Sequence, residues 1–349
     1  LDYLVDVCSG PILFYVPGLT RLHVLCHGTR GGLVFGSNFD NDFRPGLLFV
    51  NKRGLEKSGF PLKKLDPPAT WTSRYGSVTI HTAPYQYAWA GMNEAGLVIS
   101  TMQLDDTKVP PPDERPSLVS AAWVQYVLDT CATVDDIIAA ERRVRLNYGV
   151  DHYLACDATG ACMTIEFLEG KPIYHRAEDL PLPALAAGWS YAQCFDPRYG
   201  GAKSPAKLSV LADPLPQVQK MLKADPSARA PSGVDYAFRI LKEVSADNTT
   251  WSLVFDVQKR VVFLRSYKNK RVRHLGLKDL DFSCGTPVLM LDVHAGYSGD
   301  LLKHLQPYSH KTVLRHAIKS VAFHMPDLPE ATVREMVEHM ERFTCADHD

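Results

Sequence analysis

The sequence predicts an α+β fold in which helices cover two stacked β-sheets. Strand-like runs come in blocks, "GGLVFGSNFD" with "GLLFVNKRG" early on and "HYLACDATGACMTIEFLEGKPIYH" later. Helical periodicity is confined to the segments between those blocks. Blocks of antiparallel hairpins around blocks of helices point to segregated layers, because each element must bury one face against another.

The elements follow in chain order. Residues 31–40 and 46–54 read as successive strands, separated by the loop Asn41 to Gly46. "YGSVTIHTA" and "YAWAGMNEAGLVISTMQL" supply further strands, the latter a hairpin turning at Asn93 to Gly96. A proline-rich loop, Pro110 to Pro116, ends this β block. Within 117–146, Val119, Ala122, Trp123, Tyr126 and Val127 share one helical face. Thr133 with Asp136 three residues on predicts a capped second helix carrying Ile137, Ile138 and Ala140. A strand hairpin then returns at 152–175. Amphipathic segments follow around Val218 to Leu222 and Tyr236 to Val244, and residues 249–266 and 270–282 read as closing strands.

Bulk properties exclude several classes. With 349 residues, 46% hydrophobic and 22% charged, the chain can bury a substantial core. A formal charge of −1 with both signs interspersed argues against nucleic acid or an anionic membrane surface as the main partner. No apolar stretch is long enough to span a membrane. The eight cysteines form no CxxC pair, so no zinc site is expected. Cys156 and Cys162 straddle a turn, where strand packing and a bridge are equally open readings. Residues 1–21 look like a scrambled leader, apolar but without a basic start or a small-residue cleavage site. Residues 22–349 are expected to form a single domain.

The opening hairpin, "CHGTRGGLVFGSNFDND", raises the functional question. Its turn is expected near Gly28 to Gly31, and residues equidistant from a turn face one another. Asp40 lies about nine residues past that turn, so its cross-strand partner falls near Thr20 to Leu22. Cys26 sits almost on the turn, out of register with the polar cluster.

"LVFGSNFD", "LLFVNKRG", "WTSRYGSVTI", "GMNEAGLVIS", "HYLACDATGACMTIEFLEGK", "TTWSLVFD" and "LDFSCGTPVLMLD" together resemble the linear amide C–N hydrolases. This is the choloylglycine hydrolase family of penicillin V acylases and bile salt hydrolases, and the likeness is to its Gram-negative branch. It covers roughly residues 22 to 300, in order. It implies a four-layer αββα sandwich of the N-terminal-nucleophile type, with no cofactor and no metal. A leader is removed to leave an N-terminal cysteine, whose thiol attacks an amide while its own α-amine, of pKa about 8, handles the proton. Fixed donors stabilise the oxyanion. Substrates would be small N-acyl amides such as penicillin V, conjugated bile salts or N-acyl homoserine lactones. Periplasmic or secreted localisation and a homo-oligomer, a tetramer by the same resemblance, are also implied.

Carried over residue by residue, the pattern is incomplete. The family's "GRNxD" reads Gly36-Ser37-Asn38-Phe39-Asp40, so Asp40 is retained to orient the α-amine while the arginine has become Ser37. Gln103 takes the position of an oxyanion donor. The segment before Ser190 and Tyr191, which would line the substrate site, offers Gly188 in place of an asparagine. Lys207 stands near the later arginine, keeping its charge without the fork geometry. The nucleophile's place falls on Arg21 or Leu22, and neither can attack an amide.

Two accounts fit: a degenerate paralogue that binds acyl amides without cleaving them, or a reading-frame error upstream of residue 26. Codons ACC CGC CTG CAC GTT CTG encode Thr20 to Leu25, and shifted by one base they give Pro-Ala-Cys-Thr-Phe. A binding or structural module unrelated to amides forms a third class.

Overall fold

Two large sheets organise the chain, and alternation along their strands decides which face each side chain joins. The computed structural model describes residues 23–29, 32–61, 66–82, 84–176, 184–186 and 232–346, with 23–29 and 184–186 as backbone. The first sheet has seven strands, in spatial order Ala184–Ala186, His23–Thr29, Gly32–Asp40, Thr249–Asp256, Val261–Ser266, Arg273–Gly276 and Gly299–Asp300. The second has nine: Lys171–Arg176, Cys162–Leu168, Asp151–Cys156, Val98–Gln103, Ala90–Asn93, Ser77–His81, Leu47–Asn51, Leu289–Asp292 and Gln306–Pro307.

The sheets stack through one apolar core. Leu33, Phe35 and Phe39 from the first meet Leu48, Val50, Val98 and Leu154 from the second. Intervening residues point outward, as period-two alternation requires. Val34 and Val254 pack beneath the helix Gly233–Glu243, against its Tyr236, Ile240 and Leu241. On the far side, Phe49, Ile99 and Tyr153 pack beneath helices Ser120–Thr130, Val134–Glu141, His310–His324 and Glu330–Glu341. The result is an αββα sandwich.

Local sequence explains the helix ends. Thr133 and Asp136 form the expected reciprocal capping box, and Ser232 accepts from the amide of Asp235. The expected turn at Asn93 to Gly96 is present, with Gly96 at φ +94°. The stretch 117–146 is not helical throughout. Ser117–Val119 and Arg145–Tyr148 pair as short parallel strands flanking the two helices. Val218 to Leu222 and the leader-like segment 1–20 lie outside the described residues.

Cysteine pairing settles one open reading and adds a feature the spacing did not suggest. Cys156 and Cys162 are cross-strand neighbours and are bridged. Cys284 and Cys345 are also bridged, across a sequence separation of 61. That bridge fastens the strand Thr344–Cys345, which pairs with Leu55–Ser58, to the loop before Leu289.

Beneath the helix Ser120–Thr130 lies a buried ion pair, Lys57 Nζ to Asp129 Oδ2 at 2.9 Å, with both side chains fully enclosed. Trp71 Nε1 and Gln125 Nε2 also donate to this carboxylate, at 2.8 Å each, and Lys57 also donates to Gln86 Oε1. Burial presses the Lys57 ammonium toward losing its proton and the Asp129 carboxyl toward gaining one. Each charge depends on the other. Lys57→Met is therefore expected to cost about 3–5 kcal/mol, because it strands a buried carboxylate, whereas Lys57→Met with Asp129→Leu should cost distinctly less. Urea unfolding of both variants measures the difference.

Candidate active site

The hairpin register is regular over the described residues. Its pairs run Val24↔Ser37, Cys26↔Phe35 and Thr29↔Gly32, and their numbers sum to 61 throughout. The turn is tighter than expected, since Gly28 and Thr29 belong to the strand. Arg21 and Leu22, expected near the partner position of Asp40, lie outside the described residues. Cys26 faces Phe35, five residues before Asp40, about 16 Å along a strand at roughly 3.3 Å per residue.

Asp40 ends its strand with no exposed surface. Thr249, its cross-strand neighbour, donates its hydroxyl to Asp40 Oδ1 at 2.5 Å. A bulge between Thr249 and Trp251 makes this possible by slipping the ladder one residue at the strand end. The displaced Thr250 uses its hydroxyl on the carbonyl of Asn41 at 3.0 Å. On the same strand, Asn38 Nδ2 donates to the carbonyl of Leu241 at 2.7 Å, tying the strand to its covering helix.

Ser37 points the other way. Its Oγ lies 3.0 Å from Ser100 Oγ on the second sheet, both residues being buried. Next to this contact, Phe39 stacks on Trp251 with centroids 4.3 Å apart and meets Trp89 at 5.2 Å. Trp89 in turn accepts from the amide of Thr101 through its carbonyl. The two strands therefore run from the serine contact toward the same end of the sandwich. Asp40 and Gln103 stand there on opposite sheets. Gln103 is half-buried, and its Nε2 donates to Asp105 Oδ1 at 2.6 Å. Gly46 lets the chain pass close by, since a Cβ there would stand 2.5 Å from the Trp251 ring.

Lys207, Gly188, Ser190 and Tyr191 lie outside the described residues. Of the nearby aromatic side chains, Trp89 lies at the Asp40 end, against Phe39. Trp71 serves the Lys57–Asp129 pair, and Tyr85 packs with Phe49 and Tyr308 on the outer face of the second sheet. Phe43 is enclosed by the rings of His316, Phe323 and His324. Sequence reasoning missed the Thr249 anchor. The bulge that aims this side chain has no local sequence signal. No group of described residues is arranged to hold a metal ion, and no described helix is long and apolar enough to cross a membrane.

Known proteins share this arrangement. No family model matches the chain. A penicillin V acylase from Pectobacterium atrosepticum is 32% identical over 127 residues, 31% of this chain and 34% of that protein. The match thus spans about a third of that relative's length. The structure of penicillin V acylase from Agrobacterium tumefaciens superposes with a TM-score of 0.69 at 24% identity, covering 82% of this chain and 98% of that one. A mutant conjugated bile acid hydrolase from Clostridium perfringens gives 0.60 at 14% identity, covering 82% and 96%. The fold is that of the N-terminal-nucleophile hydrolases. Within that fold, the chain is similar in structure to penicillin V acylase and conjugated bile acid hydrolase, and in sequence to a penicillin V acylase over about a third of its length.

Two consequences are measurable. Thr249→Val removes a donor to a buried carboxylate and is expected to lower stability by about 1–3 kcal/mol, read by denaturant unfolding. The second concerns acid. Burial lowers His81 to a pKa of about 3 and His316 to about 4, both below the usual 6.5. The unfolded chain then binds more protons than the folded one below about pH 6.5. Stability is full above that pH and falls as the pH drops toward 4, by up to about 1.4 kcal/mol per pH unit for each histidine. His316→Gln is expected to make a plot of unfolding free energy against pH shallower in this window.

Proposed function

We propose that the chain carries the scaffold of a hydrolase for linear amide C–N bonds in small N-acyl substrates, with an incomplete catalytic constellation. The observation that carries this reading is Asp40, buried at a strand end and held there by the Thr249 hydroxyl. The substrate range is penicillin V and conjugated bile salts, in line with the names of the relatives, together with N-acyl homoserine lactones by the sequence resemblance. In a complete site, an N-terminal thiol attacks the amide carbonyl and its α-amine, oriented by Asp40, passes the proton to the leaving amine. Water then resolves the thioester. The chain as written has Arg21 and Leu22 where that thiol belongs.

A second reading, an inactive paralogue that binds acyl amides, is favoured by one contact. Ser37 is satisfied by Ser100 in the buried inter-sheet layer, so the cation that would favour a thiolate is replaced by a neutral hydroxyl pair. Export to an oxidising compartment is part of the proposal. It is supported by the bridges Cys156–Cys162 and Cys284–Cys345, since such bonds persist mainly outside reducing cytosol. Fractionation that finds the native protein in the cytoplasm removes that part.

The test is to resequence the gene across residues 15–30 and express both readings. The present sequence is expected to leave penicillin V intact, and Cys26→Ala to change nothing. Activity confined to the frame-restored cysteine form supports the hydrolase reading. If both forms are silent yet N-acyl amides raise the melting temperature, the binding paralogue stands. Hydrolysis by the present chain that Cys26→Ala abolishes refutes the register argument.

A further inference from the structure

The loop 41–46 continues the strand that ends in Asp40, and two histidines hold it by different means. Its first residue, Asn41, is fully buried. The amide of Phe43 donates to Asn41 Oδ1 at 2.7 Å. That bond fixes which way the Asn41 side chain points, and turns its Nδ2 toward His324 Nε2, 3.4 Å away. On the other side of the ring, His324 Nδ1 lies 2.8 Å from the carbonyl of Ser320. A carbonyl only accepts, so Nδ1 carries the hydrogen and Nε2 offers its lone pair to Asn41. The contact therefore requires a neutral ring in one tautomer. His294 works the other way round. Its Nε2 donates to the carbonyl of Arg44 at 2.7 Å, a bond that a protonated ring makes equally well.

The surroundings of His324 are apolar. Phe43 and Phe323 pack on its ring, with centroids 5.5 and 5.0 Å away. Burial presses it toward the neutral form, against the pull of the Ser320 carbonyl. On its own helix, His316 meets Phe43 edge-on, and Lys319 acts on His316. On the loop, exposed Asp42 accepts from Asn248, and Arg44 stacks over Tyr267 at 4.6 Å. Asp40, next to Asn41 in sequence, receives the hydroxyl of Thr249. Among the described residues, no carboxylate is placed to steady a positive charge on His324.

We propose that His324 is an acid-sensitive latch for the loop beside Asp40. Once Nε2 takes a proton, two donors face each other across the Asn41 contact. Flipping the Asn41 amide gives the imidazolium an acceptor but sets Nδ2 against the amide of Phe43. Neither orientation satisfies both partners, so the loop releases the helix His310–His324 and the Asp40 end opens. Because burial disfavours the proton, the latch is fully closed at and above about pH 6.5 and gives way only below it. The device is independent of whether the Asp40 end turns over amides.

Amide exchange of the full chain, read by mass spectrometry, tests the latch, each rate being referred to the unfolded chain at the same pH. Protection across 41–46 is expected to fall at least about tenfold between about pH 7.5 and pH 5, while the strand Cys162–Leu168 keeps its own. His324→Gln cannot take up the proton and should flatten this response. Asn41→Asp supplies a carboxylate that accepts from both the Phe43 amide and a protonated ring, so acid should no longer loosen the loop. That check stands even if His324→Gln fails to fold. His294→Gln should leave the acid response in place. Equal protection of the loop at both pH values overturns the proposal. So does an acid response that persists unchanged in His324→Gln or in Asn41→Asp. A loss of protection that the strand Cys162–Leu168 shares equally is global unfolding, and overturns it as well.

Discussion

The fold turns on how a carboxylate with no exposed surface is kept satisfied. Asp40 sits at the end of a strand buried on both faces, where an unpaired charge would be costly. The hydroxyl of Thr249 meets it only because the neighbouring strand is bulged at that point. Further along the same pair, Phe39 and Trp251 stack, Ser37 touches Ser100 on the other sheet, and Asn38 ties the strand to the helix above. Shifting this strand by one residue would exchange the two faces and turn Phe39 away from the inter-sheet core.

The parts legible in the sequence were those governed by short-range rules. Period-two alternation and the Asn93 to Gly96 turn marked the strands, and the Thr133–Asp136 pair marked a helix start. The hairpin was legible from its glycines, although its turn is tighter than expected because Gly28 and Thr29 belong to the first strand. What stayed illegible depends on residues far apart in sequence. Nothing near Thr249 marks it as the partner of Asp40, and nothing near Lys57 marks its pairing with Asp129. The bridge Cys284–Cys345 was equally hidden, as spacing alone does not choose among eight cysteines.

Ser37 is a small polar residue buried in the layer between the sheets. An arginine there would bring a charge and five donors into the layer between the sheets. The serine has a neutral partner in Ser100, and Phe39, Trp89 and Trp251 pack next to it. Apolar contacts around Ser37 help to hold these strands in register.

The Asp40–Thr249 contact spans 209 residues of chain. A nascent polypeptide cannot make it until well over half of the protein has left the ribosome. Until then, the strand Gly32–Asp40 has one flank without its final neighbour, and its apolar face lacks the Thr249–Asp256 side of the core. Pairings over such separations place a fold among those that acquire their native contacts slowly. The candidate site is therefore among the last regions to assemble during synthesis, whichever chemistry it supports.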